Sequence, residues 1–214
     1  MENLHDKRKV YEKSQLLENQ IKENPMEQFR NWFLEAEENP AISEANAMAL
    51  STVEADGCPR TRMVLLKSYS WEGFTFYTNY ESRKGKSIEE NHYACLHFFW
   101  PTLERQIIIK AKVERIAENL SDGYFQSRPK GSQLGAKVSP QSQVIPDREF
   151  LEEQLKNLEI EFENKEIPRP ENWGGYIAKP FEIEFWQGRP NRLHDRIIYE
   201  LQIDFHWKIS RLAP

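Results

Sequence analysis

Apolar residues first recur at helical spacing in "PMEQFRNWFLEAEEN". Met26, Phe29, Trp32, Phe33 and Ala36 fall on one face, with Pro25 near the start and Asn39-Pro40 as the stop. This predicts an amphipathic helix. From about residue 47 to 116 the period drops to two, in short runs bounded by turn signals: "AMALSTVE", "RTRMVLLKSY", "GFTFYTN", "ACLHFFW" and "QIIIKAKVERI". In the last run Ile107, Ile109, Ala111 and Val113 share one face while Ile108, Lys110, Lys112 and Glu114 share the other, as a half-buried antiparallel strand requires. A short helix with Ser82 as N-cap is expected in "SRKGKSIEEN". Residues 119–138 predict short helices broken at Pro129 and Gly131. Leu151, Leu155, Leu158 and Phe162 mark a second long helix.

Two or three further strands are expected in "GYIAKPFEIEFWQ", "DRIIYELQI" and "HWKISRL". Six to eight short strands without regular strand–helix alternation indicate an α+β fold, a mainly antiparallel barrel with flanking helices rather than a βαβ sheet. Residues 1–24 are charged and lack a regular apolar stripe. They read as an N-terminal arm, a mobile lid or short helix that orders on another surface, ahead of one domain over 25–214.

Composition narrows the function. With 214 residues, 39% hydrophobic and 12% aromatic, the core is built largely from rings. The formal net charge of -5 disfavours nucleic acid or acidic lipid as a general partner, because such binding needs excess cations. Cys58 and Cys95 show no metal or disulfide spacing, which fits a reducing, cytoplasmic setting. No apolar run is long enough to cross a membrane. P-loop, HExxH and GxSxG patterns do not occur, so no metal or serine chemistry is expected.

Against this acidic background, cations gather locally. Arg83 and Lys84 beside Ser82 could seat a phosphate at a helix start or simply form a solvated one. Arg62 and Lys67, five apart, should point to opposite faces of a strand unless a bend intervenes. Tyr124 and Arg128 share a helical face, with Ser132 brought in by the following turn. In "WQGRPNRLHDR", Arg192, His194 and Arg196 alternate and would share one face of an extended segment. His194 between two arginines should then favour its neutral form.

The stretches "RMVLLK", "FYTNYESRKGK", "FFWPTLERQIIIKAKVERI", "YFQSRPKGSQLGA", "SPQSQVI", "WGGY", "IEFWQGRPNRLHDR" and "RLAP", in this order from about residue 26 to the C-terminus, resemble the pyridoxamine 5'-phosphate oxidase family. The resemblance implies an FMN-binding split β-barrel and a homodimer with FMN between subunits. The implied reaction is oxidation of pyridoxine 5'-phosphate or pyridoxamine 5'-phosphate to pyridoxal 5'-phosphate. Hydride passes from C4' to flavin N5, and oxygen reoxidises the flavin to give hydrogen peroxide.

It further implies an FMN site of Arg62, Met63, Val64, Leu65, Leu66, Lys67, Tyr77, Thr78, Arg83, Lys84, Gln106, Gln141 and Ser142, with Trp186 and Arg196 from the other subunit. The substrate phosphate falls to Lys67, Tyr124, Arg128 and Ser132. Arg192, Leu193 and His194 flank the reacting carbon, and Arg8 and Tyr11 resemble lid residues. Arg192 is expected to position the ring and His194 to hydrogen-bond the C4' substituent, with the proton acceptor left open. Lys137 departs from the family, which often has an aromatic residue there, so helix packing is expected to differ. Rival readings are a split-barrel flavin reductase and a non-catalytic FMN or pyridoxal phosphate binder.

Overall fold

The computed structural model describes residues 3–214, and among them nine strands form one sheet with five α-helices around it. Helix α1 (Pro25–Glu37) is capped by the Asn24 side chain and buries Met26, Phe29, Trp32, Phe33 and Ala36, the face read from the sequence. It lies across the barrel. Phe29 packs edge-on against Tyr69, Phe74 and Phe98, and Trp32 against Phe185. Arg105 stacks over Trp32 at 4.5 Å and bonds Glu35 at 2.6 Å and Gln187 at 2.9 Å, tying the helix to the sheet.

Strands β1 (Ala47–Val53), β2 (Pro59–Leu65), β3 (Ser68–Ser70), β4 (Gly73–Asn79), β5 (Tyr93–Trp100), β6 (Arg105–Arg115) and β7 (Trp173–Gln187) run in the order β2-β1-β5-β6-β7-β4-β3. The sheet curls on itself where the chain leaves β2. There the Lys67 N–H donates to Thr75 O of β4 at 2.9 Å, so the chain passes from one end of the order to the other across Leu66 and Lys67. The single strand expected across "RTRMVLLKSY" is therefore two, and Lys67 falls in the break rather than on either face of a strand.

Strand β7 carries the topology. From Tyr176 to Gln187 it pairs with β6, but its other edge is shared: Trp173–Ala178 pairs with β4 and Glu182–Gln187 with β8 (Asp195–Leu201). The change of partner comes at Pro180, which has no N–H to give, and at Phe181, which is squeezed out of register with β6. Strand β9 (Trp207–Leu212) completes a hairpin with β8.

Helix α2 (Arg83–Glu90) follows β4, and α3 (Glu118–Ser127), α4 (Lys130–Val138) and α5 (Arg148–Glu161) form a flanking layer. The break expected at Pro129 is present, whereas Gly131 lies inside α4. Phe125, Leu134, Phe162, Ile167 and Trp173 make a second, smaller core under this layer, with Lys137 packed over the Phe162 ring.

The arm from residue 3 to 24 contains neither helix nor strand, yet Leu16 is buried in the main core. The buried Glu104 carboxylate accepts the Glu12 and Lys13 N–H groups at 2.9 and 3.0 Å. Asp195 accepts Leu16 N–H at 3.0 Å, and Arg211 grips Glu18 through two nitrogens. Such charge-assisted bonds to the backbone hold an irregular segment without a ladder.

Two outcomes follow from this packing. Phe29→Ala, which empties a fully buried ring site, should cost about 3–5 kcal/mol of unfolding free energy in denaturant titration. Glu104→Ala should speed proteolytic cleavage of the arm while leaving the barrel's unfolding midpoint nearly unchanged.

Candidate functional site

The first half of the site begins at the N-cap of α2. Ser82 accepts the Gly85 N–H at 3.3 Å, and Gly85 is obligatory because a Cβ there would stand 2.0 Å from Tyr80 O. From this start Lys84 Nζ turns back to Gln141 Oε1 at 2.7 Å, Thr78 Oγ1 at 3.0 Å and Ser82 Oγ at 3.3 Å. Burial, reinforced by the charge on Arg62, lowers its pKa to about 8.

Arg62 is fixed from the other side, its Nη1 donating to Leu50 O at 3.0 Å and Thr52 Oγ1 at 2.8 Å. Its Nη2 is buried with no partner. Arg60, Arg62, Arg83, Lys84, Ser142 and Gln143 line a cavity of about 420 Å³, four cations and no carboxylate. This chemistry suits a phosphate.

Beside it stands an aromatic shelf. Tyr77, next to Thr78 on β4, stacks on Tyr124 at 3.9 Å and on Trp173 at 5.5 Å. The Arg128 guanidinium lies 4.7 Å over Trp173, and its Nη1 is buried and unpartnered. Arg62 Nη2 and Arg128 Nη1 are the only two such side-chain atoms among the described residues. A buried donor without a partner carries a desolvation cost that an anion would remove. Ser132 is exposed in the first turn of α4, and Lys67 is exposed at the β2–β3 break.

The other half lies at the far end of β7. The His194 ring sits 4.6 Å from Trp186, with Tyr11 of the arm edge-on to both at 5.7 Å. Gly188 has no side chain because Tyr11 packs where a Cβ would be. Arg8, Tyr11, Arg189, Arg192 and His194 line a cavity of about 610 Å³. Burial, then the neighbouring Arg192, lower the His194 pKa against the opposing pull of Asp195. Gln106 is opposite Trp186 in the sheet and bonds His97 at 3.0 Å.

One expectation changes on this geometry. Arg192, His194 and Arg196 do not share an extended face. Pro190–Arg192 forms a 3-10 turn with Asn191 and Arg192 at φ 57 and 63, and extension resumes only at Asp195. Arg196 instead faces Glu184 on β7, held through Nε at 2.7 Å and Nη2 at 3.0 Å. Leu66 points into the core and its backbone is occupied by Asn46, whereas Met63 is exposed and Val64 and Leu65 are half-buried on β2. Leu193 is exposed beside the cavity.

Trp173, Arg60, Gln143 and Arg189 were not singled out from the sequence as site residues. Each nevertheless lies in a stretch that carried a signal: Trp173 in "WGGY", Arg60 in "RTRMVLLKSY", Gln143 in "SPQSQVI" and Arg189 in "WQGRPNRLHDR".

The two halves are far apart within one chain. Trp173 and Trp186 are thirteen residues apart on β7, roughly 40 Å of strand at about 3.3 Å per residue. In the sheet rows of Trp186 and Glu184, Phe99 and Met63 are 50% and 64% exposed around a cavity of about 530 Å³ that Ala47, Ala49 and His97 also line.

Residues 34–160 match the family model described as pyridoxamine 5'-phosphate oxidase, and residues 173–214 match the pyridoxine 5'-phosphate oxidase C-terminal dimerisation region. Proteins named pyridoxine/pyridoxamine 5'-phosphate oxidase from Flavobacterium psychrophilum and Flavobacterium johnsoniae are 61% and 59% identical, each covering 100% of both chains. Among solved structures, PhzG from Burkholderia lata superposes with a TM-score of 0.86 at 28% identity, over 93% of this chain and 98% of that one. An FMN-binding protein from Nostoc punctiforme gives 0.70 at 16% identity, over 87% and 97%, and shares the fold. With cation pockets, split barrel and end-to-end likeness in agreement, the chain belongs to the pyridoxamine 5'-phosphate oxidase family.

Proposed function

We propose that the protein oxidises pyridoxine 5'-phosphate or pyridoxamine 5'-phosphate to pyridoxal 5'-phosphate with FMN as cofactor and oxygen as final acceptor. The observation that carries this is the pair of buried, unpartnered guanidinium nitrogens, Arg62 Nη2 in the cation-lined cavity and Arg128 Nη1 over the aromatic shelf. Cofactor and substrate each bring a phosphate, and the cavity and the shelf each offer one desolvated arginine for it.

Arg62, Arg83, Lys84 and Ser142 suit the FMN phosphate. Thr78 and Gln141 support them, since both bond within the Lys84 cluster. Bound FMN supplies a two-electron acceptor that oxygen restores with release of hydrogen peroxide. The protein supplies orientation and charge. Arg128 and Tyr124 grip the substrate phosphate against the Trp173 shelf, with Lys67 and Ser132 at its exposed rim. Arg192 and His194 address the reacting carbon, and Arg8 and Tyr11 of the arm close over it as a lid.

A complete site takes its two halves from two chains. No molecule of this size reaches from the Tyr77 end of β7 to the Trp186 end, so Gln106, Trp186, Arg192, His194 and Arg196 serve the cation pockets of a second copy. The exposed Met63 and Phe99 face suits the contact between copies, an apolar surface expected to be covered. Among the described residues no helix is long and apolar enough to cross a membrane, and a cytoplasmic homodimer is the accompanying reading.

The direct test mixes FMN-loaded protein with pyridoxine 5'-phosphate in air. Pyridoxal phosphate and peroxide should form together, and Arg192→Ala, His194→Ala should abolish both. FMN binding without either product, from both vitamers, would instead leave a reductase or binder. Arg128→Gln should raise the substrate KM about 10- to 100-fold, the loss of one charge-assisted bond pair, with FMN affinity unchanged.

Lys84 gives a pH signature. Because its pKa in the free protein is about 8, a phosphate dianion bound beside it must raise that value. FMN affinity should be flat from about pH 7, where the phosphate is mainly a dianion, to about pH 8, then fall by up to about tenfold per unit as Lys84 loses its proton. Calorimetry in two buffers near pH 9 should detect proton uptake on binding, and Lys84→Met should remove it.

A further inference from the structure

His194 is held by more than its neighbours' rings. Its Nδ1 lies 3.0 Å from the backbone nitrogen of Arg189 and accepts that N–H. The contact is made by the turn between them: Leu193 N–H bonds back to Pro190 O at 3.1 Å, and the positive φ of Asn191 and Arg192 brings residue 194 over residue 189. A backbone N–H can only donate, so the ring nitrogen facing it must carry a lone pair. In a neutral imidazole the remaining hydrogen is then on Nε2.

The charges around the ring favour the neutral form. Arg192 from the same loop and Lys7, Arg8, Lys9 and Arg189 line the cavity, and Tyr11 and Trp186 are its aromatic walls. The adjacent carboxylate, Asp195, already accepts Leu16 N–H at 3.0 Å and Arg211 Nη1 at 2.8 Å. Burial and Arg192 act in the same direction on the titration of His194.

We propose that the Arg189 backbone N–H fixes His194 as the Nε2–H tautomer, making it a hydrogen-bond donor to the substituent on the reacting carbon and not the proton acceptor. The inference rests on the oxidase reading above and deepens it. An Nε2–H matches a hydroxyl or carbonyl oxygen, or the lone pair of a free amine. It is mismatched to an ammonium, which has only donors to offer. His194 therefore selects pyridoxine phosphate, and pyridoxamine phosphate in its free-amine form, over the protonated amine. The hydroxyl proton released as the alcohol becomes an aldehyde passes to water.

The tautomer can be read without turnover. In the FMN-loaded protein with ¹⁵N-labelled histidine, two-bond proton–nitrogen correlation near neutral pH should give His194 an unprotonated Nδ1 and a protonated Nε2. The His194→Gln variant identifies its signals among the five histidines. A protonated Nδ1, whether in the opposite tautomer or in an imidazolium, would overturn the proposal.

The functional arm compares two amides. The longer glutamine of His194→Gln can bring its N–H₂ to the place of Nε2, whereas the shorter asparagine of His194→Asn reaches only the place of Nδ1. With pyridoxine phosphate, His194→Gln should keep a kcat at least about tenfold above His194→Asn, the difference made by one hydrogen bond to the reacting group. Equal and severe loss in both would mark His194 as the base and sink the donor role. Wild-type protein inert toward both vitamers would remove the oxidase reading itself, and the donor role with it, whichever tautomer the spectrum shows.

Discussion

Strand β7 has to satisfy two hydrogen-bonding edges over fifteen residues, and it does so with three partners. β6 takes one edge from Tyr176 to Gln187. On the other edge β4 gives way to β8 at a proline that has no N–H to lose and a phenylalanine already out of register. Everything functional hangs from the two ends this division creates. At one end Trp173 is the floor of the Tyr77–Tyr124–Arg128 shelf; at the other Trp186 is the wall of the His194 cavity. Side-chain rearrangement cannot shorten the strand between them, so the two ends stay separate within one chain.

An acidic protein that handles anions must concentrate its cations, and desolvating them is costly. The cost is carried by anchoring. Arg62 spends Nη1 on Leu50 and Thr52 and keeps Nη2 free, while Lys84 is held by three oxygens in a cluster that includes the N-cap of α2. These groups are already in place before a ligand arrives, which limits the ordering cost of binding. The aromatic core supplies the rigidity. Phe29, Phe74, Phe98 and Trp32 lock α1 to the inside of the sheet whose rim carries the arginines.

The arm shows a different economy of contacts. It has no regular structure, yet two carboxylates, Glu104 and Asp195, take its backbone N–H groups one by one. Asp195 follows His194 directly and is also bonded to Arg211 of β9, so arm, C-terminal hairpin and His194 turn share one set of polar contacts. A change at the chain's last strand can thus reach the cavity through Asp195.

Periodicity alone located the α1 face, the alternation of β6 and the break at Pro129, because burial of an apolar face is a local property with a fixed repeat. The cationic stretches were equally visible, and the helix start at Arg83 and Lys84 followed from its Ser82 cap. Pairings over long separations had no such repeat. Nothing in the residues announced that Lys84 would reach Gln141, that Glu104 would hold the arm, or that Arg196 would be taken by Glu184. The turn that lifts Asn191 and Arg192 to positive φ was hidden as well, since neither is glycine. By itself the sequence determined the elements, their buried faces and the kind of chemistry on offer. Only the tertiary structure decided which cations stand free and which are spent, because that depends on the desolvated partners each meets across the fold.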